Sequence, residues 1–137
     1  MKILIMGLPG SGKTYLAERL APMLDAAWYN ADKVREMAND WDFSLRGRKR
    51  QALRMKTFAD FEVAQGRAVI CDFVCPTART RDLFGADVTI WMDTIQQSLF
   101  ADTNDLFEKP ENVDFHIETW KTENDTVIAA QLKRNYL

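Results

Sequence analysis

Cysteine is scarce: Cys71 and Cys75 are the two in 137 residues. They are too few for a disulfide framework and lack the second pair that a four-thiolate zinc site needs. A reduced intracellular setting is the expectation that follows. Histidine is scarcer still. His116, without a cysteine or second histidine beside it, reads as a structural histidine, buried or paired at the surface, rather than a metal ligand. No run approaches the ~18 apolar residues of a membrane span. The opening MKILIMGLPGSG is too short in apolar length for a secretory signal and runs into glycines instead of a cleavage site. A cytoplasmic chain without a presequence is therefore expected. An excess of one charge sign is also missing. Eighteen Lys and Arg against 20 Asp and Glu give a net charge of -2, which argues against a protein built mainly to coat nucleic acid. Low-complexity tracts, internal repeats and flexible linkers are absent too. What remains, 47% hydrophobic and 28% charged, suits one domain over residues 1–137 with a core that needs no staple.

Short apolar runs alternate with helical spacing. Residues 2–6 read as a strand buried on both faces, with further strands at 26–30, 68–73, 88–92 and 113–117. Between them, Leu16, Leu20, Met23 and Leu24 mark one helix, whose last turn Pro22 shortens or bends. Asp32 is a candidate N-cap for a helix carrying Val34, Met37 and Ala38. Ser44 opens a longer helix to about Gln65, with Leu45, Leu53, Met55, Phe58, Phe61 and Val63 as candidate core contacts. Another helix follows Pro76 and runs through about Phe84. Residues 94–112 form the least regular stretch. Thr122 and Asp125 suggest a capping box for a final helix with Val127, Ile128, Leu132 and Leu137. The alternation predicts an α/β fold: a five-stranded parallel sheet in the order 2-3-1-4-5, with helices on both faces and ligands at its carboxyl edge.

One segment carries specific chemistry. Gly7-Leu8-Pro9-Gly10-Ser11-Gly12-Lys13-Thr14 fits G-x-x-x-x-G-K-[ST], between an apolar strand and an amphipathic helix. Glycines let backbone N–H groups curl around a phosphate, and the helix behind adds its positive end. Lys13 is expected to reach the β- and γ-phosphates of ATP, and Thr14 to ligate Mg²⁺. Asp72 and Asp93 each follow a strand, so each is a candidate acid for the metal or, alternatively, a helix cap. Asp32 and Arg35, three residues apart, share a helical face. They read as base or orienter and anion holder, or as a cap with a surface ion pair. Arg46, Arg48, Lys49, Arg50, Arg54 and Lys56 are either a solvated helix face or an electropositive rim for a nucleotide, a sulfate ester or a nucleic-acid end, to which Arg79 and Arg81 could add.

These segments, in order, resemble the adenylylsulfate kinase family, whose members phosphorylate the 3′-hydroxyl of adenylyl sulfate with ATP. The loop at 7–14 is similar to its G-L-S-G-A/S-G-K-[ST]. Asn30-Ala31-Asp32-Lys33-Val34-Arg35 resembles D-G-D-N-[VI]-R, and Phe43-Ser44 resembles G-F-S. Phe73-Val74-Cys75-Pro76 resembles F-I-S-P, and Phe107 to Asn112 resembles Y-E-P-P-E-N. The resemblance implies a P-loop kinase with Lys13 and Asp32 in catalysis and Gly7, Pro9, Gly10, Ser11, Gly12, Lys13 and Thr14 around ATP. It implies Asp32, Arg35, Phe43, Arg54, Phe73 and Pro76 around the acceptor, and Mg²⁺ on Thr14, with Asp72 as a second candidate. A homodimer is admitted as an assembly.

The departures are Asn30 for the family's first acid, Cys75 for a serine, and the lack of any counterpart to the R-D-x-K-G-L-Y lid. The lid's absence keeps two alternatives open: a nucleotide or polynucleotide hydroxyl as acceptor, and a non-catalytic nucleotide-binding module.

Overall fold

The computed structural model describes residues 1–136. Strands β1 (Lys2–Met6), β2 (Ala27–Asn30), β3 (Val69–Asp72), β4 (Val88–Met92) and β5 (Phe115–Ile117) alternate with helices α1 (Lys13–Met23), α2 (Ala31–Ala38), α3 (Leu45–Ala64), α4 (Ala78–Phe84), α5 (Ala101–Leu106) and α6 (Asn124–Tyr136). All strand pairs are parallel, and the sheet order is β2-β3-β1-β4-β5, as the sequence predicts.

The alternation of side chains along β1 builds two cores at once. Ile3 and Ile5 face Leu16 and Leu20 of α1 and Ile128 and Leu132 of α6. Leu4 and Met6 face Met55 and Ala59 of α3, Val34 of α2 and Phe84 of α4. A central strand covered on both sides must be apolar at every position, and all five β1 residues are buried.

Several local expectations are corrected. Asn30, not Asp32, caps α2, its side-chain Oδ1 accepting from the Lys33 N–H at 3.0 Å; Asp32 sits exposed in the first turn. Leu45, Leu53, Phe61 and Val63 are exposed. Met55 is buried as expected, and the rest of the buried stripe of α3 is Gly47, Gln51, Ala52, Ala59 and Glu62. Small residues let the helix approach the sheet, and its two buried polar groups are bonded: Gln51 to the Ala31 carbonyl, Glu62 to Tyr29 and Arg67. Met37 and Val127 are likewise exposed. The irregular stretch 94–112 contains α5. The final helix starts at Asn124, and Thr122 bonds the Glu123 side chain instead of closing a capping box. Leu137, expected on that helix, lies outside the described residues. Pro22 does fall in the last turn of α1. Among the described residues, no helix is long and apolar enough to cross a membrane.

Candidate active site

Parallel strands bring their carboxyl ends to one edge, and the residues after β1, β2 and β3 converge there. The 7–14 loop turns on glycines that nothing else can replace. Gly7 has φ of 149°, and a Cβ on it would lie 2.5 Å from the Met92 carbonyl oxygen. At Gly12, φ is 100°, and a Cβ would overlap the Trp120 indole. Inside the loop the Ser11 hydroxyl is buried without a hydrogen-bond partner. Lys13 Nζ donates across the loop to the Leu8 carbonyl at 3.0 Å. Burial lowers its pKa to about 8, against the opposing pull of Asp72 and Asp32.

Next to the loop lies a carboxylate network. Thr14 Oγ1 donates to Asp72 Oδ2 at 3.0 Å, and Asn30 Nδ2 donates to that same oxygen at 3.0 Å and to Thr14 Oγ1 at 3.1 Å. The Trp28 indole N–H donates to Asp72 Oδ1 at 2.7 Å. Asp72 is buried, and burial raises its pKa while the donors and the Lys13 charge oppose the rise. A hydroxyl and a carboxylate held together beside a phosphate loop form a hard-oxygen pair that fits Mg²⁺. The two strand-end acids thus diverge: Asp72 meets Thr14, whereas Asp93 meets His116 at 2.8 Å.

From this network a cleft of about 790 Å³ extends between α2, α3 and the β3–α4 connection. It is lined by Pro9, Gly10, Gly12, Lys13 and Thr14 at one end and by Asp32, Arg35, Trp41, Phe43, Arg48, Phe73, Cys75, Pro76, Phe100 and Thr103 farther on. Arg35 is buried and shaped by its surroundings: it donates to the Asp40 and Asp42 carbonyls at 2.8 and 3.3 Å and stacks 4.3 Å from the Phe43 ring centre. Burial lowers its pKa. Asp32 makes no ion pair with Arg35 among the described residues. Arg54 is turned to Gln51 and to the Asp40 carboxylate, which also takes Arg50, so it braces the turn that holds Arg35.

The basic stretch is largely neutralised. Arg48 pairs with Asp102, Arg50 with Asp40 and Asp42, Arg54 with Asp40, and Lys56 with Asp60. Arg81 is engaged by the Cys75, Pro76 and Glu108 carbonyls.

Sequence reasoning missed two parts of the site. Helix α5 closes one side of the cleft through Arg48, which bonds Thr103 at 3.1 Å and approaches Asp102 at 3.5 Å. A second hollow of about 450 Å³, lined by Gly12, Tyr15, Arg19 and Trp120, adjoins the phosphate loop. Tyr15 meets Trp120 edge-on, with ring centres 4.9 Å apart. The available signal was an aromatic residue just beyond β5, at the same sheet edge as the loop.

The sequence profile of the Adenylylsulphate kinase family matches residues 1–103. A probable adenylyl-sulfate kinase from Aeropyrum pernix is 34% identical in an alignment of 88 residues that covers 58% of this chain and 46% of that relative. The chain thus spans about half the length of the curated relative it matches. Among solved structures, the Mycobacterium tuberculosis APS kinase in complex with AMPPNP and APS superposes with a TM-score of 0.73 at 18% identity, covering 97% of this chain and 95% of that one. Shikimate kinase from Aquifex aeolicus superposes at 0.69 and 16% identity, covering 98% of each. The hexameric APS kinase from Thiobacillus denitrificans gives 0.73 at 25% identity, covering 97% of this chain and 28% of that one. The phosphate loop, the sheet that presents it and the family signature agree: this chain belongs to the adenylylsulphate kinase family, with the fold of a P-loop kinase.

Proposed function

We propose that residues 1–137 form one kinase domain that transfers the γ-phosphate of ATP to the 3′-hydroxyl of adenylyl sulfate. The observation that carries this reading is the continuity of the cleft: phosphate loop, Asp32, Arg35 and the rings of Phe43 and Phe73 all line it. Gly7, Pro9, Gly10, Ser11, Gly12, Lys13 and Thr14 hold the triphosphate, Lys13 at the β- and γ-phosphates. Tyr15 and Trp120 border the hollow beside Gly12, where a base attached to that triphosphate would lie. Thr14, and Asp72 through water, would hold Mg²⁺, which would supply positive charge beside the transferred phosphoryl group.

Phe43, Phe73 and Pro76 offer flat apolar surface to the acceptor base, and Arg35 its planar guanidinium to the anionic part. Arg54 contributes through Asp40. Asp32 orients the acceptor hydroxyl and accepts its proton as the oxygen bonds the γ-phosphorus and the β–γ bridging bond breaks, releasing ADP. Radiolabelled ATP offered with adenylyl sulfate, nucleotides and 5′-hydroxyl or base-modified DNA tests this. Label in adenylyl sulfate is expected, and label only in another acceptor overturns the assignment.

The polynucleotide alternative drew on the basic stretch and on the missing lid, and the acids paired with Arg48, Arg50, Arg54 and Lys56 weaken the first of these. A binding module without turnover would label nothing. Homodimerisation belongs to the same proposal and is read by sedimentation.

A further inference from the structure

The carboxyl ends of β4 and β5 carry a second cluster of ligating groups. Their parallel register sets Trp91 beside His116 and Met92 beside Ile117. Two residues beyond Trp91 is Asp93, and two residues beyond His116 is Glu118, so strand alternation sends all four side chains to one face. The Asp93 N–H donates to the Ile117 carbonyl at 2.8 Å, which fixes the two strand ends against each other. One ligand atom from each of Asp93, His116 and Glu118 lies within 4.8 Å of the others.

Two further features point to a cation. His116 is held in place: its ring stacks on Trp91 with centres 4.3 Å apart and planes 4° from parallel, and Nε2 hydrogen-bonds Asp93 Oδ2 at 2.8 Å, sharing a proton that a bound metal would displace. Trp91 is itself buried, so the imidazole rests on a fixed platform. In addition, the two carboxylates converge without a Lys or Arg pairing with either among the described residues, while Asp40, Asp60 and Asp102 all have such partners. Like charges brought together at the end of a rigid sheet repel unless a counter-charge sits between them.

We propose that Asp93, His116 and Glu118 form a site for a divalent metal ion of the Zn²⁺, Co²⁺ or Mn²⁺ class. One imidazole and two carboxylates select these ions over Mg²⁺ and Ca²⁺, which prefer all-oxygen shells. Tetrahedral zinc with bonds of ~2.0–2.2 Å separates its ligand atoms by about 3.3–3.5 Å, inside the 4.8 Å within which these three lie. Water completes the shell on the solvent side, where His116 and Glu118 are exposed. The site is separate from the Thr14–Asp72 pair on the other side of the loop and clamps β4 to β5. It also steadies the next residue, Thr94, whose hydroxyl bonds the Ser11 carbonyl at 2.7 Å.

The stacked indole makes the test direct. The full chain, stripped with chelator, is titrated with Zn²⁺ by calorimetry and with Co²⁺ by tryptophan fluorescence, both in excess Mg²⁺. One ion per chain is expected, with Co²⁺ quenching part of the emission through Trp91. His116→Phe keeps the aromatic stack and removes the ligand, and Glu118→Gln keeps the shape. Each should weaken binding by about tenfold or more and reduce the quenching, with chelator-treated melting temperatures close to that of the parent protein. No saturable binding by the parent chain, or unchanged affinity in both variants, overturns the site.

Discussion

The indole N–H of Trp28 donates to Asp72 Oδ1 at 2.7 Å, across the β2–β3 pair and behind the phosphate loop. This contact frees the other Asp72 oxygen to face Thr14 and Asn30. Trp28→Phe keeps the ring and removes the donor, leaving a buried carboxylate one partner short. A stability loss of about 1–3 kcal/mol is expected by urea denaturation. The Mg²⁺ concentration for half-maximal activity should rise, with the ATP KM at saturating Mg²⁺ nearly unchanged. A shift in KM alone would show that Trp28 acts elsewhere.

Lys13→Ala should keep the fold, because it removes a charge that burial already disfavours, and should weaken ATP binding by about 10- to 100-fold. In the free protein Lys13 loses its proton through a pKa of about 8. A bound triphosphate raises that value, so binding takes up a proton once the pH passes 8. ATP affinity should therefore fall by up to about tenfold per pH unit above 8 and stay flat below it. Calorimetry in buffers of different ionisation enthalpy reads the proton uptake, which Lys13→Ala should abolish.

Asp32→Asn separates catalysis from binding. Turnover should drop by ~10²-fold or more, with ATP affinity nearly intact. Unchanged turnover would leave Asp32 as an ordinary first-turn acid of α2.

The Arg50 and Arg54 side chains hold the Asp40 carboxyl well below its ordinary 3.8. A depressed carboxyl stabilises the native state above the unfolded value, and that contribution disappears as pH falls through the native one. Asp40→Asn should thus lower the melting temperature at neutral pH, and the two melting curves should converge in strong acid. Because Asp40 braces the turn carrying Arg35, the acceptor KM should rise more than the ATP KM.

Much of this architecture was legible because buried parallel strands must be apolar on both faces, as at residues 2–6 and 88–92, and because the phosphate loop needs its glycines. Helix α3 was harder to read. Apart from Met55, its buried stripe is made of small and polar residues, Gly47, Ala52, Gln51, Ala59 and Glu62, whereas Leu45 and Phe61, both large and apolar, are exposed. No hydrophobic periodicity could report that choice. Helix α5 was hidden by its polar composition, and the Trp28–Asp72 contact joins residues 44 apart in sequence through a strand pairing that local patterns do not encode.

Asn30 joins two structures through one amide. Its oxygen starts α2, and its nitrogen bridges Asp72 and Thr14. An aspartate there would keep the cap but place a second negative charge against Asp72. With the neutral amide, Thr14 and Asp72, the groups proposed to hold Mg²⁺, carry a single formal charge between them. The expected order of arrival follows from that electrostatic deficit: metal and triphosphate enter together as a chelate, the nucleotide supplying the anionic oxygens that the protein withholds.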